Sequence, residues 1–284
     1  SAAMALRLGA PAHGLPPRRG PFLLVLDGRL QQQDAQELAA LKQLLLLQGL
    51  SSIALQCQAP QDLQACSQFA AGLAASQEGF LIGIGGDALA LQLARAAWTR
   101  ACPLGLLARG PGRHLAHLHG LPQDLPQAVQ AWQRRLATPV AVGLLNGEPF
   151  FAEAKLLPAG QDCQPGLGIG LPWRRRSLPR LPATLRIRLD RSPALDQVLA
   201  LQASTQLPVR EQRPSPAAHG GLYALIRQGD GAARLRRFHS AIALAQDGAE
   251  EPSLQLQLDG MTHTEAGHAA LRLADTPLLL MRGC

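Results

Sequence analysis

Short runs with the composition of buried strands alternate with helical patterns through the first half of the chain, and each run breaks off at a turn. Residues 22–26 lead into Asp27-Gly28, a second run occupies 52–56, and residues 80–84 run into Gly85-Gly86-Asp87. Helical periodicity fills 34–47, stopped at Gly49, then 61–75 and 88–100, and a fourth strand pattern follows at 103–107. Continuous apolar runs of strand length, spaced by helices, specify a parallel sheet with helices on both faces. An amphipathic helix at 125–136 closes this α/β domain, read as 21–137, with residues 1–20 as a flexible arm.

The pattern changes after Pro139. Residues 140–145, 149–156, 183–189, 221–227, 234–245 and 253–258 read as strands separated by glycine and proline, and the one good helical pattern is at 194–201. This predicts a mostly antiparallel β-rich domain over 138–284, with the last strand packing back on the first domain.

Bulk properties narrow the function classes. No apolar run is long enough for a membrane-spanning helix. Five scattered cysteines, with no Cys-x-x-Cys pair, argue for a reducing compartment such as the cytoplasm and against a structural zinc site. The net charge is +7, and of the 27 basic residues all but Lys42 and Lys155 are arginines. Arginine suits phosphate and anionic lipid because its fork makes bidentate contacts. Aromatics are only 4% of the chain, which leaves few stacking platforms, so nucleic acid is not expected as a partner. The basic stretch Trp173-Arg174-Arg175-Arg176 reads either as a solvated loop or as a peripheral contact with the inner face of a membrane.

Gly85-Gly86-Asp87 stands where a buried strand meets a helix N-terminus, a place where backbone N–H groups favour anions. Many sheet proteins carry such a turn for packing alone. A second turn, Gly110-Pro111-Gly112-Arg113-His114, follows the Pro103-Leu104-Gly105 strand and leads to the exit Gly120-Leu121-Pro122.

Together these two turns, at this spacing, resemble the signatures of bacterial diacylglycerol and sphingosine-type lipid kinases, which read Gly-Gly-Asp-Gly-Thr and Gly-Thr-x-Asn-Asp. Fainter resemblances continue at 142–150, 216–225, 256–261 and 276–280. The resemblance implies an α/β domain like that of NAD kinases followed by an antiparallel β domain. It also implies ATP and Mg2+ as cofactors, in-line attack of a lipid hydroxyl on the terminal phosphate, and frequent homodimers. The nucleotide-binding positions it implies are Asp27, Gly28, Gly85, Gly86, Asp87, Ala88, Gly110, Pro111, Gly112 and Arg113.

Several of those positions depart from the family pattern. Ala88 and Leu89 replace a glycine and a threonine, Pro111 removes a hydroxyl and an N–H donor, and Met261 stands at the position of the catalytic glutamate. His219-Gly220-Gly221 and Tyr223-Ala224 replace the acidic stretch that is linked with magnesium. The catalytic candidates left are Asp259 and, through a rearranged turn, Glu265. The reading is therefore a divergent lipid-kinase homologue, impaired in phosphoryl transfer and retained to bind a nucleotide, a phosphorylated ligand or a partner. An active kinase with a substitute base is the alternative, and an unrelated α/β protein with similar loops is the third reading. His114, His117 and His119 lack an accompanying acidic or cysteine ligand at zinc spacing, and read as a basic, partly exposed helix end.

Overall fold

The computed structural model describes residues 18–27, 34–57, 60–109, 114–158, 184–206, 221–228, 233–246 and 254–282. The chain forms two compact units, Ser1–Ala141 with Asp275–Cys284, and Val142–Ala274.

The first unit contains a six-stranded sheet in the order β2-β1-β3-β4-β17-β5. Its strands are β1 (Phe22–Asp27), β2 (Ser52–Cys57), β3 (Phe80–Gly85), β4 (Leu104–Ala108), β5 (Thr138–Val140) and β17 (Leu278–Leu280). Every neighbouring pair is parallel except β17 with β5. The helices are α1 (Asp34–Leu47), α2 (Leu63–Ser76), α3 (Asp87–Arg100), α4 (His114–Leu118) and α5 (Leu125–Gln133). Both β3 and β4 are buried along their whole length, the burial expected of central parallel strands covered on both faces.

Small residues set the spacing of the layers. The buried faces of α2 and α3 are rich in alanine (Ala70, Ala71, Ala74, Ala94, Ala96, Ala97), so these helices approach each other closely. A different core contains the fully buried Trp132 of α5 and the stacked rings of Phe22 and Phe80, 5.2 Å apart. Gly105 in β4 exists for Trp132: a Cβ there would lie 2.4 Å from the indole Nε1.

The second unit holds an antiparallel sheet whose main path is β15-β14-β8-β10-β9-β13-β16-β6-β7, with β11 paired to β10 and β12 to β11. In chain order these are β6 (Gly143–Leu145), β7 (Glu148–Phe150), β8 (Glu153–Pro158), β9 (Thr184–Leu189), β10 (Leu195–Ser204), β11 (Leu222–Gln228), β12 (Ala233–Phe238), β13 (Ser240–Gln246), β14 (Leu254–Leu258), β15 (Met261–Ala266) and β16 (His268–Leu273). One apolar core, from Leu145 to Leu271, contains the inward residues of most of these strands. A parallel-dominated α/β sheet and a separate antiparallel sheet match the fold class expected from the pattern.

Two elements differ from the sequence reading. The helix expected at 194–201 is the strand β10, and the cause is a β-bulge. Register shifts fall between Leu195 and Val198 and between Val198 and Ala200, and Gln197 takes a φ of 56°. The extra residue spaces Leu195, Val198 and Leu201 three apart, which mimics a helical face.

The single strand expected at 234–245 is two, β12 and β13, interrupted at His239. There Asp190 takes hydrogen bonds from the backbone N–H groups of His239 (3.0 Å) and Ser240 (2.8 Å) and from the Ser240 hydroxyl (3.2 Å). Burial opposes the charged form of Asp190, but the donors of Ser240 and His239 outweigh it and hold its carboxyl below the ordinary 3.8. A carboxyl with a depressed folded value contributes stability that is complete above its unfolded value and is lost as pH falls through the folded one. The stability difference between wild type and Asp190→Asn, read from urea midpoints, is expected to be constant above about pH 5 and to narrow through the acid range below it.

Candidate functional site

β3 delivers Gly85 to the end of the sheet, and Gly86 precedes α3 with extended backbone (φ −81°, ψ −177°). Neither glycine adopts a positive φ. What Gly85 supplies is close approach: a Cβ there would lie 2.9 Å from Leu89 Cδ2 and 3.0 Å from Asp27 Cβ. Gly83, one step into the strand, is equally constrained, with Leu93 Cδ1 at 2.4 Å and Leu106 Cδ2 at 2.8 Å. The glycines of β3 thus seat the leucines of α3 directly on the strand, and Leu89 is 1% exposed.

Asp87 opens α3, where the helix dipole favours a negative group. Its Oδ2 also accepts the backbone N–H of His114, the first residue of α4, at 3.1 Å. One carboxylate therefore serves the starts of two helices. The cavity beneath this loop, lined by Gly83, Gly85, Asp87, Leu89, Leu106 and Ala116, has a volume of about 10 Å³. That is room for one water molecule and not for a phosphate group.

Of the other positions implied by the resemblance, Asp27 ends β1 half-buried and Ala88 is exposed in the first turn of α3. Gly28, Gly110, Pro111, Gly112 and Arg113 lie outside the described residues, as do His219, Gly220 and Trp173-Arg174-Arg175-Arg176. Arg109 donates its backbone N–H to Gly85 O at 2.9 Å, and its Nη1 to the carbonyls of Ala108 (3.2 Å) and Gln123 (3.0 Å). Its guanidinium thus ties β4 to the chain entering α5.

His114 and His117 are exposed, but His119 is buried, because the chain turns inward after α4. The His119 Nδ1 lies 3.3 Å from Nη2 of Arg282, whose largely buried guanidinium is pushed down to about 10 by desolvation. An arginine donor requires Nδ1 to be the unprotonated ring nitrogen. Among the described residues, no three His, Cys, Asp or Glu side chains gather into a cation site. Beneath the loop, the described residues leave no room for a phosphate group.

In the second unit, Asp259-Gly260 forms the two-residue turn between β14 and β15, with φ of 48° and 82° and Leu258 opposite Met261. This is the left-handed pair that a tight hairpin demands, and Asp-Gly satisfies it. The Asp259 carboxylate takes three backbone N–H groups: Phe151 at 2.9 Å on Oδ2, and Ala152 at 2.7 Å and Glu153 at 2.9 Å on Oδ1. The Asp259 N–H in turn donates to Glu153 O at 2.8 Å. Glu265 lies within β15 opposite Gln255, so the segment read as a turn around it is a strand.

The sequence reading passed over Glu153, whose buried carboxylate meets Lys155 Nζ at 2.7 Å and Gln202 Nε2. The available signal was spacing. Glu153 and Lys155 are two apart in a strand, which puts both on one face.

No protein-family model and no curated protein matches the chain in sequence. Solved structures do match. A protein of Bacillus anthracis str. Sterne, provisionally assigned as a diacylglycerol kinase, aligns over 94% of this chain and 99% of its own, with a TM-score of 0.71 at 13% identity. A second structure with the same provisional assignment, from the same organism, gives 0.69 over 93% and 97% at 13% identity. A third, described as a diacylglycerol kinase of that organism, gives 0.64 over 93% and 97% at 12% identity. At 12–13% identity these likenesses speak for the fold alone: this chain has a diacylglycerol-kinase-like fold.

Proposed function

We propose that this protein is a non-catalytic relative of the lipid kinases, which works by binding an anionic ligand and not by phosphoryl transfer. The observation that carries this reading is Leu89 lying on Gly85, with a cavity of about 10 Å³ left beneath the loop. Transfer to a lipid hydroxyl needs the nucleotide phosphates held, their charge neutralised and a base for the hydroxyl. At the loop the leucine takes the room, and Ala88 and Pro111 stand where the lipid-kinase signatures have glycine and threonine.

In the second unit Met261 stands at the base position, and the Asp259 carboxylate is engaged by three N–H groups. The arginine-dominated charge favours a phosphorylated ligand or a lipid headgroup, with Trp173-Arg174-Arg175-Arg176 as the contact.

Calorimetric titration of the full chain with ATP, with and without Mg2+, tests the reading. Neither titration is expected to give binding heat, and labelled phosphate is not expected to move from ATP to diacylglycerol in mixed micelles. Magnesium-dependent ATP binding accompanied by lipid phosphorylation would overturn it.

A further inference from the structure

Alternation along β9, β13 and β16 puts three rows of side chains on the outward side of the second sheet. They are Arg186 and Arg188, then Ser240, Ile242 and Leu244, then His268, Ala270 and Arg272. The register sets Ile242 between Arg188 and Ala270, and Ser240 between Asp190 and Arg272. Arg188 and Arg272 therefore flank β13 from opposite sides, with Cα atoms about 12 Å apart by strand spacing. Two arginine side chains can close that distance from its two ends. A cleft of about 380 Å³ lies here, lined by both arginines and by Ile242 and Ala270.

The walls of this cleft are fixed. On one side stands the Asn146-Gly147 turn between β6 and β7, with φ of 50° and 90°. Asn146 pins it to β16: its Oδ1 accepts the Ala270 N–H at 2.7 Å, and its Nδ2 donates to His268 O at 3.3 Å. On the other side Asp190 accepts the N–H and the hydroxyl of Ser240. The arginines, in contrast, are uncommitted. Among the described residues neither Arg188 nor Arg272 has a hydrogen bond or an ion pair, whereas Arg186, two residues away, meets Asp196 at 3.1 Å. Ile242 and Leu244 are 42% and 45% exposed, and form an apolar stripe along β13 that leads out of the cleft.

We propose that this cleft binds an amphipathic monocarboxylate, a fatty-acid-like anion whose carboxylate sits between Arg188 and Arg272 and whose chain lies on Ile242 and Leu244. A guanidinium fork matches a carboxylate in bidentate geometry, and here no existing ion pair has to be broken first. Two arginines against Asp190 leave one net positive charge in the cleft, which favours a single negative charge over a phosphate dianion. The volume falls within the range of small-molecule sites, roughly 300–1,000 Å³. The stripe of isoleucine and leucine offers nothing to an inorganic anion, but a hydrocarbon chain gains by covering it. The site lies wholly within the second unit, and rests neither on the glycine loop nor on the basic stretch at 173–176.

Equilibrium dialysis of the full chain against radiolabelled decanoate, kept below its micelle concentration, tests this. Saturable binding is expected, weakened about tenfold in Arg188→Gln and in Arg272→Gln. Arg236→Gln, which changes an exposed arginine of β12, should bind as wild type does. All three side chains are exposed, so the variants should keep the wild-type urea midpoint. With the chain half-covered, each methylene removed is expected to cost about a factor of two, which makes hexanoate about sixteenfold weaker. Ile242→Ser should flatten that series, and neither inorganic phosphate nor decylamine should compete. Decanoate binding that survives both arginine variants, or equal competition by inorganic phosphate, would overturn the proposal. So would attachment to phosphatidylglycerol vesicles with no binding of monomeric decanoate. ATP titrations of the two arginine variants should match wild type, so failure of this site would leave the reading of the glycine loop standing.

Discussion

Replacing Asp259 by alanine is expected to lower the stability of the second unit by about 3–4 kcal/mol, a large effect for one half-buried side chain at a hairpin turn. Three backbone N–H groups lose their acceptor at once, and they belong to Phe151, Ala152 and Glu153, all of which are buried. Each charge-assisted bond is worth about 1.5–3 kcal/mol, and water entering from the turn recovers part of the sum. Alanine also adds strain, because Asp259 has a φ of 48° and aspartate tolerates that region better. Asp259→Asn separates the two contributions. Asparagine accepts the left-handed backbone and keeps an oxygen for Ala152 and Glu153, but its amide would face the Phe151 N–H without accepting it. About half the loss is expected for the asparagine variant, read as the shift of the denaturant midpoint. Equal midpoints for wild type and Asp259→Ala would mean that these contacts carry no stability.

The first unit was the more legible in the sequence because its signals are local. A buried parallel strand is a continuous apolar run, and its helix begins within a few residues of its end, so β1, β3 and β4 could be read off almost directly. In the second unit the decisive facts are non-local. The bulge in β10 converts a period of two into a spacing of three, and only pairing with β8, β9 and β11 reveals it. The break between β12 and β13 depends on Asp190, about fifty positions earlier.

The candidate site was legible as a place and not as a mechanism. Glycine at 85 has two sufficient causes, approach of a phosphate and approach of a side chain, and the sequence contains both motives. The signal that separates them is the residue four positions on. A leucine at 89, facing back over the first turn of α3, covers the glycine it follows, as helical side chains do. The burial of His119 against Arg282 was not legible in the sequence, because its partner lies at the far end of the chain.

Leu89→Ala is the second large effect, and it bears on what the loop has become. Leu89 is 1% exposed and packs on Gly85, so truncation is expected to cost about 3 kcal/mol of stability. The new space would join the existing cavity of about 10 Å³ and make room beneath the loop. If hydrophobic bulk were the only obstacle, that space would let a nucleotide phosphate approach Gly85, and ATP titration of the variant would give heat. The expected result is no heat, because space is not the only change. Ala88 would still stand where the family signature has glycine, and Pro111 would still lack the hydroxyl and the N–H donor of the second turn. Leu89→Thr is expected to be destabilised at least as much, since its hydroxyl would be buried against Gly85 and Leu106 without a partner. Binding regained in Leu89→Ala alone would show that the loop is an intact nucleotide site closed by one side chain. Continued silence in both variants, with the expected loss of stability, would mean that the core has absorbed the loop.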